Sequence, residues 1–208
     1  MALAALSLAG SPEEERTRCL LLLELGDALT RMGDRRAGKE ELRRAAGIAR
    51  RCRMAEELGQ AALAYAGQFT FERGASDRHV ITLLEEARAM LAENEGAGPL
   101  RARDLARLAA ALRDRPDRGP RDALSREAVA AARALGDPST LAYTLACRAW
   151  ALIGPDDPPG RLAIAEELRA VARVVQDKER EQEGEQHRAM VFLQTGRIQE
   201  YREAAEAS

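Results

Sequence analysis

Between Leu20 and Ala46 the apolar residues recur at steps of three and four. Leu22, Leu25, Leu29 and Met32 share one helical face, and Leu42, Ala45 and Ala46 share another. Gly33-Asp34 separates the two runs, because glycine accepts left-handed backbone angles at little cost. Gly26 lies within the first face, where only a small residue lets a second helix come close. The pattern predicts a helical hairpin with its small residues at the crossing point.

The same arrangement returns along the chain. Met54, Leu58, Ala61 and Tyr65 mark one helix, and Val80, Leu83, Leu84, Ala87 and Leu91 its partner. Leu105, Leu108-Ala109 and Leu112 begin a third unit, completed by Leu124, Ala128, Ala131 and Leu135. Leu145, Ala146 and Ala149 precede Leu162, Ala165, Leu168, Ala172 and Val175. The run from Asp177 to Thr195 is polar in its first half and apolar only from Ala189 to Leu193. Ile198, Tyr201 and Ala205 give the last helix one apolar side. Glycine and proline punctuate the runs at Gly96 to Pro99, Gly136-Asp137-Pro138 and Gly154 to Gly160.

Five hairpins follow, over about 13–52, 53–94, 99–136, 138–176 and 177–207, at an irregular step of 36 to 47 residues. Residues 1–10 read as the remnant of a preceding helix, so that 1–208 forms a single repeat domain. No segment alternates with β-branched residues, which leaves an all-α fold. Its expected core holds Leu22, Leu25, Leu29, Leu83, Leu84, Leu108, Leu112, Leu145 and Leu168.

The first hairpin resembles the tetratricopeptide (TPR) repeat, with Leu22, Leu25-Gly26 and Leu29 in the first-helix positions and Leu42 and Ala45 in the second. Gly38 stands where alanine is usual, and Arg50 where proline often closes the unit. From Ala61 to Gly154 the chain also resembles the helical repeat region of large ATP-dependent LuxR-type (MalT-like) transcription activators and related bacterial signalling ATPases. The runs that carry this likeness are AALAYAGQFTFERGASDRHVITLLEEA, RLAAALRDRPDR, ALSREAVAAARALGDPSTLAY and WALIGPDD. The resemblance implies a right-handed α-solenoid that serves as a sensor and interaction arm and performs no chemistry. In TPR-like arrays the concave groove is lined from the first helix of each hairpin. Carried onto this chain, that lining includes Asp27, Arg31, Arg103, Arg113, Tyr143, Trp150 and His187, with Thr30, Cys147 and Val191 beside them. For Tyr143 and Trp150, a place in the core is an equally open reading.

Charge narrows the partners. A net charge of -2 gives no overall attraction to nucleic acid. From Arg31 to Arg53, however, nine basic residues stand against three acidic ones. The expected partner is therefore a protein or peptide segment, held by the groove or by this basic surface. A small-molecule effector in the groove is the alternative. Aromatic residues make up only 3% of the chain, little with which to wall a pocket.

Candidate chemistry adds nothing to this. Gly33 to Glu40 reads G-x-x-x-x-G-K-E, but a phosphate-binding loop needs a hydroxyl where Glu40 stands and a strand before Gly33. His79 and His187 lack neighbours at metal-ligand spacing, so neither metal nor cofactor is expected. Cys19, Cys52 and Cys147 form no C-x-x-C motif and suit a reducing cytoplasm. The apolar start has no basic region before it, unlike a signal peptide, and is too short to span a membrane. Leu6 and Leu8 are expected to dock on the Leu20 to Met32 helix or to mediate self-association there.

Overall fold

The computed structural model describes residues 10–67 and 78–206. Among them are ten α-helices, a single 3-10 turn at Glu95–Ala97 and no strand. The helices are α1 (Pro12–Arg31), α2 (Arg35–Arg51), α3 (Ala55–Ala66), α4 (Arg78–Leu91) and α5 (Gly98–Ala111). They continue as α6 (Gly119–Leu135), α7 (Pro138–Ala151), α8 (Pro158–Val174), α9 (Lys178–Gln194) and α10 (Ile198–Glu206).

Local chemistry explains where several helices start. Ser11 opens α1 with a capping box: its Oγ accepts from the Glu14 amide at 3.3 Å, and Glu14 accepts from the Ser11 amide at 2.7 Å. Aspartates cap α2, α7, α8 and α9 through Asp34, Asp137, Asp157 and Asp177. Gly136 ends α6 in the left-handed region, at φ 66°.

Contacts cluster into two compact units, with the division falling inside α5 between Asp104 and Leu105. The sequence reading has one domain over 1–208. In the first unit α1 packs on α2, α2 on α3 and α3 on α4, with a further contact from α1 to α3. In the second, α6 packs on α7, α7 on α8, α8 on α9 and α9 on α10, with a further contact from α7 to α9. Consecutive helices thus pack in series within each unit.

The α1–α2 crossing is set by two glycines. A Cβ on Gly38 would lie 2.7 Å from the Gly26 carbonyl oxygen, and one on Gly26 would lie 2.6 Å from Leu42 Cγ. Gly38, the departure from the repeat pattern, is therefore demanded by the close approach. The second unit buries Leu105, Ala106 and Ala110 of α5 with Ala128, Cys147 and Trp150. A neighbouring cluster joins Val129, Ala142, Leu145, Ala146 and Leu168. Each fully buried leucine contributes roughly 1.5–3 kcal/mol.

Most of the expected core is buried, but not all. Leu25 is 37% exposed and Leu29 only partly buried, because α1 turns Cys19, Leu22, Leu23 and Gly26 inward. Met32 is 83% exposed, since it is the C-cap and lies past the last helical turn. Leu135 is also exposed, next to the Gly136 stop. In α10 the buried residue is Ala204, not Ala205, which rotates the expected apolar side by one position. The expectations for Leu6 and Leu8 fall outside the described residues.

Candidate functional site

Of the seven expected groove residues, four meet in the second unit. Trp150 and His187 make an edge-to-face contact with ring centroids 4.5 Å apart and planes at 72°. The Arg113 guanidinium lies 5.9 Å over the Trp150 ring. Tyr143 packs against the same core cluster. The other three lie in the first unit: Arg31 pairs with Asp27 at 2.8 Å on the exposed side of α1, and Arg103 sits partly buried on α5.

Depth separates these residues from the exposed ones. Trp150 and His187 are 4% and 3% exposed, so they fill the interior and do not line an open surface. The polar start of α9 is buried with them. Arg180, Glu183, Gly184, His187 and Val191 form an i, i+3, i+4, i+7, i+11 series turned inward. Gly184 permits it, because a Cβ there would lie 3.1 Å from the Ala165 carbonyl oxygen of α8.

Arg180 ion-pairs with Glu183, and its guanidinium lies 5.2 Å over the Tyr143 ring. Burial opposes the charge on Arg180, but Glu183, Cys147 and Tyr143 outweigh it and hold the group protonated. Burial raises the Glu183 carboxyl, against the opposing pull of Arg180. It also raises the Cys147 thiol and the Tyr143 phenol. A nucleophilic cysteine needs the reverse shift. His187 is pushed down to about 3, first by burial and then by the charge of Arg161, so the imidazole is neutral. Its Nε2 has no hydrogen-bond partner among the described residues.

Two buried arginines act as braces and had no signal in the apolar pattern. Arg121 near the start of α6 donates back to the carbonyls of Arg113 and Arg115, the latter at 2.9 Å. Arg161 near the start of α8 donates to the carbonyl of Gly154 and to Gln194 Oε1, the latter at 2.7 Å. Each ties the first turns of a second helix to the preceding connection. Their spacing of 40 residues lies within the repeat step read from the sequence.

The first unit holds a separate buried acid. Asp104 is 0% exposed, and neither carboxylate oxygen has a hydrogen-bond partner among the described residues. Burial pushes its carboxyl up to about 8, against the opposing charge of Arg88. Among the described residues no group of three or more His, Cys, Asp or Glu side chains is placed to hold a metal ion, and no helix is long and apolar enough to cross a membrane. No protein-family profile matches the chain, and comparison with curated proteins finds no significant match.

Proposed function

We propose that this chain is a non-catalytic, TPR-like interaction module whose hairpins stack into a right-handed solenoid. The observation that carries the reading is the serial packing of consecutive helices, joined by next-but-one contacts from α1 to α3 and from α7 to α9. Stacked hairpins make such contacts, because each buries its apolar face on its neighbours. The paired braces Arg121 and Arg161 support a repeated unit. On this reading the buried α7–α9 cluster rigidifies the scaffold, and binding belongs to exposed surface. The stretch from Arg31 to Arg53, with nine basic residues against three acidic ones, is the candidate surface. The resemblance of the sequence to LuxR-type (MalT-like) activators and related signalling ATPases supports a role as the regulatory arm of such a system. Its free thiols, Cys19, Cys52 and Cys147, suit the cytoplasm.

The test is selection from a displayed random-peptide library at about 50 mM and about 500 mM salt. Enrichment of peptides at low salt that is lost at high salt supports the reading. A thermal stabilisation of several degrees by one metabolite, without peptide enrichment, transfers the function to small-molecule sensing. ATP hydrolysis that disappears in Lys39→Ala would overturn the non-catalytic assignment.

A further inference from the structure

We propose that the open depression between α1 and α2 takes an acidic amphipathic helix from a partner protein. This rests on the reading of the chain as an interaction module and names the face and the chemistry of its ligand. The depression holds about 510 Å³. Leu22 and Ile48, each 4% exposed, and Leu25, 37% exposed, supply its apolar lining. Leu21, also 37% exposed, lies one helical turn before Leu25 and extends the strip along α1. Gly47 keeps the α2 side low: a Cβ there would meet only Arg51 Nη1, at 3.8 Å.

Charge around this lining is one-sided. Arg18, Arg44 and Arg51 stand against Glu41. Glu41 is engaged by Arg44 at 3.2 Å, and Arg51 reaches Glu15 only at 3.9 Å. Arg18 Nε is buried without a hydrogen-bond partner among the described residues. Two helices with an apolar floor and cationic margins match a third helix that carries apolar residues at i, i+3, i+4 and i+7 and carboxylates beside them. A second copy of this chain fits less well. Its last helix mixes Arg202 with Glu200, Glu203 and Glu206, and Arg197 neutralises Glu200 at 2.8 Å.

The experiment is fluorescence anisotropy with a labelled synthetic helix of about 15 residues, leucines on one face and glutamates at its flanks, and a twin with lysines at the flanks. The glutamate helix should bind and the lysine twin should not. The double substitution Arg44→Glu, Arg51→Glu should weaken the glutamate helix about tenfold or more and admit the lysine twin. Leu25→Asp should abolish binding of the glutamate helix and, added to the double variant, that of the lysine twin. All three positions are exposed, so helical circular dichroism should not change. Equal binding of the two peptides, or charge reversal without effect, overturns the proposal. So does binding that appears only after residues 1–9 are removed, which would make the chain's own start the occupant. Dimerisation lost in Leu25→Asp, read by light scattering, would instead assign the face to a second copy. If library peptides bind but ignore all three substitutions, this face is wrong and the interaction-module reading stands.

Discussion

Replacing Asp104 by asparagine should stabilise the protein by an amount that grows with pH. Asp104 is wholly enclosed, its oxygens are unpaired, and burial pushes its carboxyl from 3.8 up to about 8. A carboxyl raised in the folded state is neutral in both folded and unfolded chains below pH 3.8. Above that value the unfolded chain releases the proton and the folded chain keeps it, until the folded group also titrates near pH 8. Its contribution to stability is therefore intact in acid, falls by about 1.4 kcal/mol for each pH step between 4 and 8, and levels off above that. At pH 7 the accumulated loss is roughly 4 kcal/mol. Asparagine is near-isosteric and cannot ionise, so the two proteins should nearly coincide at pH 4 and separate steadily towards pH 8. The assay is urea denaturation followed by circular dichroism at about one-unit pH intervals over that range. A constant offset between the two proteins would mean that Asp104 ionises normally in the fold, and the argument from its burial would fail.

Three other outcomes follow from particular contacts. Gly38→Ala should destabilise by about 1–3 kcal/mol in urea, because its Cβ has the Gly26 carbonyl oxygen 2.7 Å away; an unchanged midpoint would show that the crossing can open without penalty. Glu183→Ala should cost about 3–5 kcal/mol by stranding buried Arg180, and Arg180→Met together with Glu183→Met should recover most of it; a double variant as unstable as the single would refute the pairing argument. His187, held down to about 3 by burial and by Arg161, resists protonation that the unfolded chain accepts, so stability is lost as pH falls below about 6.5. Replacing His187 with phenylalanine should flatten that slope, while in the unmodified protein the fluorescence of Trp150, the single tryptophan, should show no midpoint near pH 6.5.

The helices, their order and most of their ends were legible in the residues alone, since periodicity, capping aspartates and glycine stops act within a few positions of themselves. Leu84, Leu108, Leu145 and Leu168 were legible as core for the same reason: each lies at the centre of an apolar stripe. Leu25 was not, because two helix faces in contact decide which edge of a stripe is covered, and α1 leaves that edge on the open depression. Gly38 looked like a flaw in a repeat until the distance to Gly26 gave it a reason. The buried polar series on α9 was hidden for a different cause. A run such as Arg180 to His187 reads as solvated when charge is taken one residue at a time, and only packing on Tyr143, Trp150 and α8 brings compensating partners around it. Asp104 and the braces Arg121 and Arg161 share that origin, because whether a polar side chain is buried depends on how the helices pack around it. Local preference thus chose the elements, and the meeting of their faces chose which side chains would be hidden, charged or left open to a partner.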